Sequence, residues 1–215
     1  MEQSTSSSSA SSLVDDTWID WFCSLDGNEV LCNVDKAYIE DSFNLYGIKP
    51  YIQNFNECYE LMMDLVHLTP EREEQITPST VILYGLIHQR FALTEDGTYM
   101  IKKKFERKYF GVCPRYLCKE QPLLPMGIST EPSVDSMKLY CPLCQDVYVP
   151  QNRKHRYLDG CFFGPSLPYV VLLNLNPIYP PIPLKKYDMK IYGFRAHSSS
   201  AIYRKRIQDK EAKKQ

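Results

Sequence analysis

Thiols are the first candidates for chemistry in this chain: it carries eight cysteines in 215 residues, and four of them stand in pairs. Cys113 and Cys118, in "VCPRYLC", form a C-x4-C pair. Cys141 and Cys144, in "YCPLC", form a C-x2-C pair, with twenty-two residues between the two pairs. Such thiols serve as a redox centre, a disulfide staple or a metal cage. Zinc takes four soft ligands in a tetrahedron at about 2.3 Å, and a short spacing lets one tight turn present two thiolates. Two such turns close a cage. Pro114 and Pro142 each follow a cysteine directly and rigidify the turns, so that backbone N–H groups can point at the sulfurs. The β-prone flanks "KLYC" and "DVYV" predict a ribbon hairpin around the second pair.

The competing readings are weaker. Four unrelated buried cysteines would not show pair spacings that suit a metal. A thioredoxin-like role for Cys141 and Cys144 lacks the surrounding βαβ pattern. Four thiolates saturate a tetrahedral metal and leave no position for water, so the expected site is structural and not hydrolytic. Zinc, one per chain, is the expected metal, and rubredoxin-like iron uses the same ligands. Cys23, Cys32, Cys58 and Cys161 read as core or surface residues; Cys161 is a competing ligand but has no paired neighbour.

Catalytic machinery is hard to find. The chain has no G-x-G-x-x-G, no G-x-x-x-x-G-K-[ST], no D-F-G, no G-x-S-x-G and no H-E-x-x-H. His67, His88, His155 and His197 are scattered, and helical periodicity puts His88 on a polar, solvated side. The expectation is a non-catalytic interaction protein. A net charge of −1 and a pI of 6.4 supply no global field toward nucleic acid or an anionic membrane. The basic cluster "RKHRY", residues 153–157, together with the basic C-terminal end, keeps a zinc-ribbon nucleic-acid-associated protein as the alternative. No membrane span and no signal peptide are evident, which predicts a reducing cytosol or nucleus, where eight cysteines are not a disulfide framework.

The elements that must position the thiols follow from periodicity. Residues 1–14 are Ser-rich and read as a disordered tail. Trp18, Trp21, Phe22 and Leu25 predict a first helix, capped by Asp15, Asp16 or Thr17. "VDKAYIEDSFNLYGIKP" predicts a second, capped by Asp35, with Ile39, Phe43 and Tyr46 on one face. "YIQNFNECYELMMDLV" predicts a third. A polar connector, "HLTPEREEQITP", leads to a fourth that starts at Thr77 with Pro78 in its first position. "YMIKKKFERKYFG" predicts a fifth, with bases in its later turns. From Gly111 the character changes to short β-prone runs punctuated by Pro, Gly and Cys. The expected fold class is α+β: an all-helical orthogonal bundle over 15–110, then a rubredoxin-like zinc ribbon over 111–197 with a C-terminal hairpin, then a basic tail over 198–215. "LPYVVLLNL" is open between helix and strand.

A set of segments carries a resemblance. "TWIDWFCSLDGNEVLCNV", "FNLYGI", "LYGLIHQRFALT", "YFGVCPRYLCKEQPLLPMGIS", "KLYCPLCQDVYVP", "DGCFFGPSLP" and "IYGFRAH" occur in the order seen in the regulatory beta subunit of casein kinase II. The resemblance spans roughly residues 15–197 and implies a non-catalytic subunit. It implies dimerisation through zinc ribbons whose ligands are Cys113, Cys118, Cys141 and Cys144. It also implies docking of a catalytic alpha subunit at Tyr192 and Phe194, giving an alpha2beta2 Ser/Thr kinase whose stability, activity and substrate choice the beta subunit modulates, in cytoplasm and nucleus. Leu124, Met126, Leu139 and Val147 are candidate dimer contacts. Ser12, three residues before Asp15, is the candidate for phosphorylation by the partner. The family's acidic regulatory run is diluted here: Asp64, Glu71, Glu73 and Glu74 are interrupted by His67 and Arg72, which predicts weakened polyamine sensitivity and a divergent paralogue.

Overall fold

The computed structural model describes residues 17–175, 190–195, 197 and 199–201. Ser12 and the basic tail beyond Ala201 lie outside the described residues. The chain divides into two compact units, Met1–Pro180 and Pro181–Gln215. No helix among the described residues is long and apolar enough to cross a membrane.

The first unit begins with short helices whose ends are set by side-chain caps. Thr17 accepts from the Asp20 N–H to start α1 (Trp18–Ser24). Asp35 starts α2 (Lys36–Glu40) by accepting from Ala37, and Asp41 starts α3 (Ser42–Leu45) by accepting from Phe43. The single second helix expected from the pattern is therefore two. Asp41, in extended backbone, interrupts the helix and caps its continuation. As a result Ile39 is buried, whereas Phe43 and Tyr46 point to solvent at 81% and 82% exposure. In α1 the buried side is Trp18, Ile19 and Phe22, and Trp21 and Leu25 are exposed.

After α4 (Phe55–Met62) comes the long central helix α5 (Pro70–Phe91), 22 residues. It starts a turn and more before the expected Thr77. Thr69 caps it and Pro70 occupies its first turn, the same signal that Thr77–Pro78 offered. Pro78 then sits inside the helix, where a missing N–H costs about 3 kcal/mol in isolation. Burial of Ile76, Thr80, Leu83, Tyr84, Ile87 and Phe91 along one side offsets that cost. Gly85 is required here, because the Phe162 ring occupies the space a Cβ would take. Thr94 caps α6 (Glu95–Glu106), and bases fill its last turn. "LPYVVLLNL" is a helix, α7 (Leu167–Leu175), packed on α6.

Between α6 and α7 lies a three-stranded antiparallel sheet in the order β1 (Leu124–Met126), β2 (Lys138–Cys141), β3 (Asp146–Tyr148). Leu124 pairs with Tyr140, and Leu139 with Tyr148. The second unit contains a separate hairpin, β4 (Lys190–Ile191) and β5 (Phe194–Arg195).

His88 corrects the sequence reading. It is not solvated but fully buried, because α5 is enclosed by packed segments on the side that looked polar. Its Nε2 accepts from the Cys32 N–H at 2.9 Å, so its Nδ1–H donates to the Phe162 carbonyl at 2.7 Å. An imidazole in that arrangement is neutral, and burial pushes its pKa down to about 4. The unfolded chain binds the extra proton below about 6.5, and the folded chain only near 4. Stability is thus full above pH 6.5 and declines as pH falls toward 4, by on the order of 3 kcal/mol for this group. Urea titrations of wild type and His88→Gln at pH 7, 5.5 and 4.5 should show a pH slope in wild type that the variant flattens. Equal slopes would contradict the assignment.

Candidate metal centre

Two turns build the thiol cluster. The first follows α6. Val112 bridges to Pro122, and the Cys113 N–H donates to the Gln121 carbonyl at 2.8 Å, which closes a loop over residues 113–121. A single 3₁₀ turn, Tyr116–Cys118, brings Cys118 back beside Cys113. Lys119 and Glu120 then take left-handed backbone, at φ 48° and 58°, to reverse the chain. The second turn joins β2 to β3. Cys141 ends β2, the Gln145 N–H returns to its carbonyl at 2.8 Å, and Gln145 is left-handed at φ 57°. Cys144 thereby faces Cys141 across the turn.

All four Sγ atoms lie within 4.8 Å of one another, and all four residues are buried. None of the eight cysteines is in a disulfide. A tetrahedron with bonds of about 2.3 Å has sulfur–sulfur edges of about 3.8 Å. Cys113 and Cys144 stand 3.8 Å apart. The donor set therefore fits one metal ion that prefers soft ligands and tetrahedral geometry. Cys161 is buried elsewhere and is not part of the cluster, so the competing assignment fails.

The electrostatics point the same way. Burial pushes the Cys118 thiol up to about 12, and the neighbouring sulfurs of Cys113 and Cys144 add to it. Burial likewise raises Cys141, against backbone N–H groups of Cys144 and Leu143 that favour its thiolate. Burial would also raise Cys144, but the Tyr148 hydroxyl, the Asp146 N–H and the neighbouring Cys141 and Cys113 together outweigh it and hold that thiol below its ordinary value. Four anionic sulfurs this close repel one another strongly, and a divalent cation reverses that penalty. The hydrogen bond between the Tyr148 hydroxyl and the Cys144 sulfur, 3.1 Å, escaped the sequence reading. The signal was the return strand itself: an aromatic four residues beyond the last ligand comes back over the turn.

The remaining candidate residues are placed as follows. Tyr192 and Phe194 lie on the β4–β5 hairpin, 97% and 80% exposed. Tyr192 and Gly193 form the two-residue turn, with φ 48° and 86°, the pattern of a type I′ turn. Tyr192 is therefore a turn residue, and Phe194 opens β5. Leu124 and Leu139 are buried within the chain and cannot contact a partner, whereas Val147 is half exposed. Of the acidic segment, Asp64 accepts from the Trp18 N–H at 2.9 Å and pairs with Lys36 at 2.8 Å, a structural role. Glu71 and Glu73 sit in the first turn of α5, where the helix dipole favours them. Arg72 pairs with Glu57 on α4, with both guanidinium contacts below 3 Å.

The sequence profile described as casein kinase II regulatory subunit matches residues 17–195. The chain belongs to this family. It is 39% identical to casein kinase II subunit beta of Schizosaccharomyces pombe over 92% of this chain and 86% of that protein. It is 38% identical to casein kinase II subunit beta of Dictyostelium discoideum (96% of this chain, 79% of that protein). It is also 38% identical to casein kinase II subunit beta' of Drosophila melanogaster (86% and 85%). As a member, this regulatory subunit is a non-catalytic component of a kinase, in agreement with a saturated thiol site.

Replacing one ligand should empty the site. Elemental analysis of purified Cys113→Ser should find the metal-to-chain ratio reduced from near one to near zero, and Cys161→Ser should keep it. Retention by Cys113→Ser, or loss by Cys161→Ser, would contradict the ligand set.

Proposed function

We propose that this regulatory subunit is the scaffold of an alpha2beta2 Ser/Thr kinase. In this reading its metal is zinc and purely structural, held by Cys113, Cys118, Cys141 and Cys144. The helical part is an orthogonal bundle and the metal part a rubredoxin-like ribbon. Two copies pair through their ribbons, and each docks a catalytic alpha subunit, altering its stability, activity and choice of substrates in cytoplasm and nucleus. Half-exposed Val147 and Val149 supply apolar surface on the ribbon for that pairing.

The observation that carries the docking role is the Tyr192–Phe194 hairpin tip. A bulky residue with φ near 50° is an outlier in ordinary backbone, and here it is almost wholly exposed rather than packed. Two solvent-facing aromatics on a tight turn are of the kind that dominates interfaces, with truncation costing about 2 kcal/mol or more. Mixing the full chain with a casein kinase II catalytic subunit should give a complex by mass and altered activity. Tyr192→Ala/Phe194→Ala should weaken that complex by roughly thirtyfold or more while leaving metal content and self-association intact. No complex with wild type would overturn the proposal.

Ser12, in the acidic N-terminal stretch, is the proposed phosphorylation site of the partner kinase. Mass spectrometry of the co-expressed complex should find it modified; a fully unmodified Ser12 would refute this. The nucleic-acid alternative is disfavoured, because its "RKHR" cluster is engaged internally. Lys154 pairs with Asp26, His155 with Glu29, and Arg156 Nε donates to the Pro150 carbonyl.

A further inference from the structure

Tyr148 stands where a residue that tunes the metal would have to stand. β3 leaves the second knuckle in register with β2, with Asp146 opposite Cys141 and Tyr148 opposite Leu139. That register turns the strand back beside the cage. The Tyr148 side chain is partly buried, packed on the core, and its oxygen lies 3.1 Å from Cys144 Sγ. Tyr148 also lines a groove with Val112, Pro114, Leu139 and Val149.

We infer that Tyr148 is a positioning residue for the metal centre: its O–H donates to the Cys144 sulfur and sets the strength and lifetime of that ligand. The inference rests on the metal reading of the four cysteines. A coordinated sulfur keeps lone pairs that can accept, and a phenol offers one donor. Donation draws charge from the sulfur, fixes the Cys144 rotamer and couples the ligand to the sheet through the Tyr148 backbone. Groups that contact metal ligands in this way commonly change affinity 10- to 100-fold when removed. The short strands make this coupling consequential. β3 has three residues and β2 four, so a side-chain tie from strand to cage adds substantially to what holds the hairpin closed.

The test uses the full chain purified with its metal, in wild type and Tyr148→Phe. The variant keeps the ring and its packing and removes only the hydroxyl. Fully exposed Tyr157→Phe serves as the control. Transfer of metal to a chromophoric chelator should be about tenfold faster in Tyr148→Phe and unchanged in the control. In cobalt(II)-substituted protein, the thiolate-to-metal charge-transfer band should move to longer wavelength, because the sulfur retains more charge without its donor. Unchanged release would overturn the inference. Faster release with an unmoved band would also overturn it, since that is the signature of looser packing alone. A wild-type chain that carries no metal would overturn the metal reading and this inference together. A metal-loaded wild type with an indifferent Tyr148→Phe would overturn this inference alone.

Discussion

Four sulfurs held within 4.8 Å of one another, out of water, are the constraint on which the ribbon depends. Strands of three, four and three residues are too short to persist through ladder hydrogen bonds and side-chain pairs alone. The thiol cluster joins the loop that precedes β1 to the turn that follows β2, so a bound cation staples the whole sheet. The same burial that makes free thiols reluctant to ionise makes the cation effective, because charge attraction is stronger where water is absent. Structural metal sites contribute to folding for this reason.

The ribbon is in turn anchored to the helical part through the segment between α1 and α2. The Lys104 ammonium, lowered by burial, donates to the carbonyls of Glu29 and Leu31 at 2.7 and 2.6 Å. His88 and Tyr84 bind the backbone of Cys32 from α5. The Glu29 carboxylate, on the other side, meets His155 at 2.8 Å, next to the sheet. One connecting segment therefore carries hydrogen bonds to α5, α6 and the ribbon region. Its polar groups are satisfied by buried side chains, which is the condition for an irregular segment to sit in a core.

The β4–β5 hairpin follows a different rule. Its tip is defined by backbone conformation and not by burial. Two successive positive φ values match the strand twist that a two-residue turn requires, and Gly193 takes the second at no steric cost. Tyr192 takes the first against its own preference, a conformation that bulky residues adopt uncommonly.

Much of this was legible in order along the chain. Cysteine spacing defined the cage, because each pair is a local turn whose reach is set by a few bonds. Capping residues located the first two helix starts, at Thr17 and Asp35, and the bases in the last turn of α6 behave as local electrostatics dictates. The family resemblance singled out Tyr192 and Phe194, and both lie on the expected C-terminal hairpin. The failures share one cause. His88 looked solvated, Pro78 looked like a helix start, and Leu124 and Leu139 looked available to a partner, because burial depends on segments far away in sequence. His88 meets Cys32 and Phe162, 56 and 74 residues distant. Tyr148 is the near case: four residues from Cys144, it could be placed only by strand register. The sequence by itself determined which atoms could bind the metal. The tertiary structure alone decided what surrounds them, since desolvation and hydrogen bonding are properties of neighbours in space and not of neighbours in the chain.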